Sequence, residues 1–283
     1  MSETAHRLDH LPPAAGRLGA AFARPKVLAG ACVIALTALG WLYLGLMAAG
    51  MEGAGFLPRA FAALCQAMPQ NGTTAALLTA SMWVAMVLAM MLPSAAPMIF
   101  TYAEIADTAA RKGERVVSPF VLAGGYGVIW LGFATAATAA QIALIRAAWL
   151  DSSMASANGL FSGAIFIAAG VYQFSALKNA CLTQCQHPFP FFFTNWETTS
   201  RGVFRLGVKQ GLFCLGCCWA MMLVMFAVGV MNIVWMAALG VAMTIEKMLT
   251  GRRFTYALGA LLIAIGVVLV AGAIAAHWPA RAA

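Results

Sequence analysis

The amino-acid sequence predicts an all-α fold, a polytopic membrane helix bundle with about seven transmembrane helices. Three observations lead there. First, 63% of the residues are hydrophobic and 9% are charged, whereas a soluble domain carries about 25% charged residues. Second, apolar stretches near the ~20 residues needed to cross a bilayer recur along the chain. Third, Lys and Arg collect in alternate connections between those stretches, as the positive-inside rule requires.

The spans are read at 27–50, 74–102, 119–147, 156–178, 207–228, 233–249 and 255–276. The first has a basic flank like a signal peptide, but its apolar run is longer than the ~7–15 residues of a cleaved segment, so it reads as a retained anchor. In the second, Pro93 removes a backbone donor, and a kink with a freed carbonyl is expected. The third contains Gly124, Gly125 and Gly127. The fifth and sixth are joined by a short Gly-Val-Met-Asn turn and form a hairpin. Residues 1–25, rich in Ala, Pro and Arg, read as a disordered tail, and 26–278 as one transmembrane domain.

Fourteen of the seventeen Lys and Arg residues fall on one side of this arrangement; only Arg59, Arg146 and Arg281 fall on the other. The N-terminus is therefore expected inside and the C-terminus outside. The net charge of +8 reports topology and contact with anionic membrane lipid, and gives no case for nucleic acid.

The chemistry sits in the sulfur residues. Cys214, Cys217, Cys218, Met221, Met222 and Met225 stand at i, i+3, i+4, i+7, i+8 and i+11, which is one stripe of a helix. Thiolates and thioethers are soft donors that suit Cu(I), zinc or an iron–sulfur cluster better than hard cations. Cys181 and Cys185, at i and i+4, share a face if the fourth helix runs on past Lys178. His187 follows, before Pro188 and Pro190 end the helix. The topology puts these five thiols near the cytoplasmic face, where disulfides are disfavoured and metal binding or redox chemistry is the better reading. The aromatic run 188–196 is expected at the interface, either as a plain loop or folded back over the cysteines.

A second methionine row, Met82, Met86 and Met90, runs along the second span. Packing alone would explain much of it, yet Met86 and Met90 fall at the depth of the fifth-span methionines. No His lies inside a span, which excludes a bis-His haem in the bundle. No carboxylate lies near a membrane centre, which weakens proton coupling. Glu246, near a span end, reads as a ligand or as the partner of Lys178 or Lys209, and pairing is the better reading because an uncompensated charge there is costly.

Met90-Met91-Leu92-Pro93, Tyr172-Gln173, Leu177-Lys178, Cys181-x3-Cys185, Cys214-Leu215-Gly216-Cys217-Cys218-Trp219 and Glu246-Lys247 together resemble an uncharacterised bacterial family of predicted metal-binding integral membrane proteins. The resemblance covers roughly 74–249. It implies a metal and the inner (cytoplasmic) membrane, and supplies no reaction. The expectation is a Cu(I)-binding protein that delivers, handles or transports copper, with no catalytic residue assigned. Cys214, Cys217 and Cys218 would form the core site, with Cys181, Cys185 and His187 beside it. Met221, Met222 and Met225, with Met86 and Met90, would be weaker stepping sites. A metallochaperone or cuproprotein would be the partner. Three alternatives stay open: a membrane thiol–disulfide oxidoreductase, a structural zinc or iron–sulfur site, and an assembly factor without metal.

Overall fold

The structure is a computed structural model that describes residues 25–51, 72–147, 149, 159–230 and 232–277. Residues 1–24, read as a tail, and 52–71, which include Cys65, lie outside the described residues. Among those described, every regular element is a helix. They are α1 (Pro25–Met51), α2 (Gly72–Arg111), α3 (Pro119–Arg146), α4 (Gly159–Tyr172), α5 (Ala176–Gln186), α6 (Pro188–Thr194), α7 (Ser200–Val228), α8 (Ile233–Met248) and α9 (Arg253–His277).

Five of these helices are long and apolar enough to cross a membrane: α1, α2, α3, α7 and α9. A sixth crossing would be the pair α4 and α5, bent by 64°. The expected sixth span is α8, which at 16 residues is shorter than the ~20 of an upright crossing. The count of seven thus rests on α8 and on the bent pair.

The fourth expected span differs from its reading as one helix. The amides of Gln173, Phe174 and Ser175 bond the carbonyls of Gly170, Val171 and Tyr172 at 3.0–3.1 Å, tightening the end of α4 into a three-residue register. Ser175 then turns extended, and its side chain accepts from the Lys178 amide to cap a new helix. A Ser that can cap locally competes with helix continuation, and the apolar periodicity through it carries no sign of that competition.

The expected disturbance at Pro93 takes the form of a π turn at Val87–Met91 just before it. Pro93 cannot donate to Ala89 in helical register, and Trp41 Nε1 donates to the Ala89 carbonyl at 3.1 Å. Ser94 Oγ donates to the Met91 carbonyl at 2.8 Å. The Ala89 carbonyl, which Pro93 cannot serve, thus has a side-chain partner in this apolar setting.

Glycine sets the closest crossings, as expected where helices pack without a hydrophobic drive between them. Gly125 of α3 and Gly207 of α7 lie against each other's backbone; a Cβ on either would strike the carbonyl oxygen of Phe204 or Leu122. Gly163 and Gly170 of α4 meet Gly266 and Gly259 of α9 in the same way. These contacts leave α7 the most buried of the long helices. It is the element that carries the sulfur stripe.

Candidate metal centre

All six stripe residues face inward on α7. Cys214, Cys217, Cys218, Met221, Met222 and Met225 are 0–2% exposed. The helix bears no Pro and no charge after Lys209, so 3.6-residue periodicity runs uninterrupted and keeps the sulfurs on one side.

The thiol end of the stripe gathers polar groups from four further helices. Cys217 Sγ donates to the Cys214 carbonyl at 3.1 Å and lies 3.3 Å from Cys218 Sγ. Cys185 of α5 lies beside these thiols and lines one small cavity together with Cys214. Lys247 of α8 places Nζ 2.9 Å from Cys214 Sγ and 2.7 Å from Ser94 Oγ of α2. The Tyr126 hydroxyl of α3 stands 3.0 Å from Cys214 Sγ and 3.3 Å from the Met91 carbonyl. A cavity of about 10 Å3 opens among Ser94, Met98, Tyr126, Cys185, Cys214 and Lys247, a volume at the lower limit for one water. Gln210, 2% exposed, also lines it, and its Nε2 has no partner among the described groups.

Lys247 is buried at 7% exposure, and its hydrogen-bond partners are a hydroxyl and a sulfur. No described carboxylate pairs with it. The neighbouring Glu246 is taken by Lys178, whose Nζ lies 2.8 Å from Glu246 Oε2 with both side chains shut away from solvent. The pairing expected for Glu246 is therefore with Lys178.

The sulfurs form a compact hydrogen-bonded group. They are not spread around a common centre: no set of three His, Cys, Asp or Glu side chains among the described residues is arranged to hold a metal ion. The donor chemistry nevertheless fits a soft monovalent ion, which two or three thiolates hold and release. Bringing them onto one ion requires side-chain rotation of thiols that now bond one another, the Cys214 carbonyl, Lys247 and Tyr126.

The other residues of the expected set fall around this group. Cys181 turns to Gly216 of α7, where an added Cβ would stand 2.6 Å from its sulfur, while its neighbour Cys185 joins the thiols. His187 is exposed and lines a surface pocket with Lys209 and Phe213. The run after it forms α6, with Phe192 edge-on to Tyr102 at 5.5 Å and Phe191 edge-on to Phe213 at 6.2 Å. This helix thus rests on Tyr102 of α2 and Phe213 of α7.

The methionines extend inward from the thiols. Trp83 packs on Phe226 with ring centroids 5.3 Å apart, and Tyr126 links Met91 to Cys214. Between those two points α2 and α7 run antiparallel, which brings Met86 to the level of Met221 and Met222. Met86 and Met90 are 0–1% exposed, and Met90 also packs against Gly240 of α8.

Ser94, Met98, Tyr126 and Gln210 are the site residues missed by spacing. Their sequence signal is weak: a hydroxyl between two prolines, a Tyr among glycines, and polar or soft residues on otherwise apolar faces.

A family model described as copper chaperone, PpoB2, matches residues 80–269. The chain belongs to the PpoB2 copper chaperone family. The matched region takes in every residue placed at the thiol site, from Ser94 of α2 to Lys247 of α8. No curated protein and no solved structure matches the chain. Membership gives a copper-related role to a protein with several helices able to cross a membrane.

Proposed function

We propose that this chain is a membrane-embedded copper chaperone that takes Cu(I) as cargo on Cys185, Cys214, Cys217 and Cys218. The observation that carries the reading is the convergence of these four thiols, from two helices, beneath a buried ammonium. Two thiolates with one Cu(I) leave a single net negative charge, and in a low-dielectric setting that charge needs a partner. Lys247, 2.9 Å from Cys214 Sγ, is placed to be that partner. Cys181 and the exposed His187 would load the site from the surface. Met221, Met222 and Met225, with Met86 and Met90, would offer weaker thioether sites deeper in the bundle. The thiol end would face the reducing cytoplasm across a bacterial inner membrane, and a metallochaperone or cuproprotein would exchange the ion.

The test is Cu(I) uptake by protein purified in detergent under reducing conditions. The wild type is expected to bind stoichiometric Cu(I) and the Cys214→Ser/Cys217→Ser/Cys218→Ser variant to lose it. Equal uptake by the two proteins sinks the assignment. Bound zinc or the colour of an iron–sulfur cluster would point to a structural site instead.

A further inference from the structure

We infer that Lys178 and Glu246 are positioning residues that set Cys185 against the α7 thiols. This rests on the copper site proposed above. Helix α5 has 11 residues and follows a break in the chain, so it is too short to hold its own orientation. Lys178, Leu182 and Cys185 fall at i, i+4 and i+7, one face of α5. Where that face points is therefore decided by its anchors.

Both anchors close on one turn of α8. At the start of α5, Lys178 Nζ meets Glu246 Oε2 at 2.8 Å, with the side chains 0% and 1% exposed. At its end, Gln186 Nε2 donates to the carbonyls of Glu246 and Leu249, each at 2.8 Å. The next residue on α8, Lys247, reaches Cys214. One turn of α8 thus grips α5 through Glu246 and α7 through Lys247, and it fixes Cys185 relative to Cys214. A buried ion pair adds little net stability over apolar side chains of similar volume, but it defines one geometry where apolar contacts would permit sliding. That property suits a pair whose task is to hold a ligand in register.

The experiment uses the full chain in detergent and four variants: Lys178→Met/Glu246→Leu, the swapped Lys178→Glu/Glu246→Lys, Cys185→Ser, and the first combined with Cys185→Ser. The metal-free readout is cross-linking by dibromobimane, with the Cys185–Cys214 and Cys185–Cys217 products identified by mass spectrometry. The second readout is Cu(I) affinity by chelator competition. The apolar double variant is expected to lose the cross-link and to weaken Cu(I) binding about tenfold, as for outer residues that orient metal ligands. Cys185→Ser should weaken it equally, and the combination should add nothing further, since both remove the same contact. The swapped pair should restore both readouts.

An unchanged cross-link in a folded double variant overturns the inference, and so do losses that multiply in the combined variant. If the double variant does not fold, Glu246→Gln carries the same cross-linking test with the same two outcomes. Failure of the wild type to bind Cu(I) would count against the copper site alone, because the cross-link reports the positioning without metal.

Discussion

Replacing Lys247 with methionine is expected to weaken Cu(I) binding about 10–100-fold while the bundle stays folded. Methionine is one atom shorter than lysine and removes the charge and its donors but brings in a thioether, so Lys247→Leu, which has none, should show the same loss. In the wild type, Nζ lies 2.9 Å from Cys214 Sγ and 2.7 Å from Ser94 Oγ. Opposite charges at ~4 Å attract by about 4 kcal/mol at an effective dielectric of ~20, and desolvation of the ammonium offsets part of it. The predicted loss, about 1.4–2.8 kcal/mol, is the remainder. Stability should not suffer, because the variant no longer buries a charge whose partners are a hydroxyl and a sulfur. Lys209 of α7 supplies the control. It is exposed, where solvent and salt screen its charge, and Lys209→Met should bind as the wild type does. Equal affinity in Lys247→Met and the wild type would remove the counter-charge from the mechanism.

The largest effect on folding is expected at the crossing of α3 and α7. Gly207→Leu should yield no monodisperse protein, and Gly207→Ala should lower the unfolding temperature. A Cβ at position 207 would strike the Leu122 carbonyl and stand 3.1 Å from Gly125 Cα. Backbone cannot yield as a flexible side chain does, so the helices must part, at a cost of about 1–3 kcal/mol or more. The same crossing positions the site. Tyr126 follows Gly125 on α3, Cys214 lies two turns beyond Gly207 on α7, and their 3.0 Å contact depends on the helices touching there. Gly127 of α3 has nothing within 4 Å of an added Cβ, and Gly127→Ala should fall within about 0.5 kcal/mol of the wild type. Thermal unfolding in detergent reads all three. A folded Gly207→Leu with wild-type unfolding would refute the backbone-contact account.

Much of the architecture was legible because it rests on periodicity. The sulfur stripe of α7 could be read from spacing, and all six of its residues prove to be buried. The proline in α2 foretold a disturbance, but not its form as a π turn, nor that Trp41, an indole from another helix, would bond the Ala89 carbonyl there. Ser175 shows the opposite case. A cap is decided by one side-chain hydrogen bond, so the hydropathy of 156–178 gave no warning of a 64° bend. Cys181 and Cys185 have the spacing of a ligand pair and both face α7, but the spacing could not say that one packs on Gly216 and the other lies by Cys214 and Cys217.

By itself the sequence determined the helical class, the basic–apolar alternation and the soft-donor character of the chain, because these follow from local composition and a period of 3.6 residues. Tertiary structure decided which donors meet. Lys247, Ser94 and Tyr126 come to Cys214 from three different helices, and Cys185 comes from a fourth held by Lys178 and Glu246. Contacts of that kind depend on helix crossings at glycine backbones and on the pairing of buried charges. Both are relations between distant segments, and neither leaves a periodic trace in the chain.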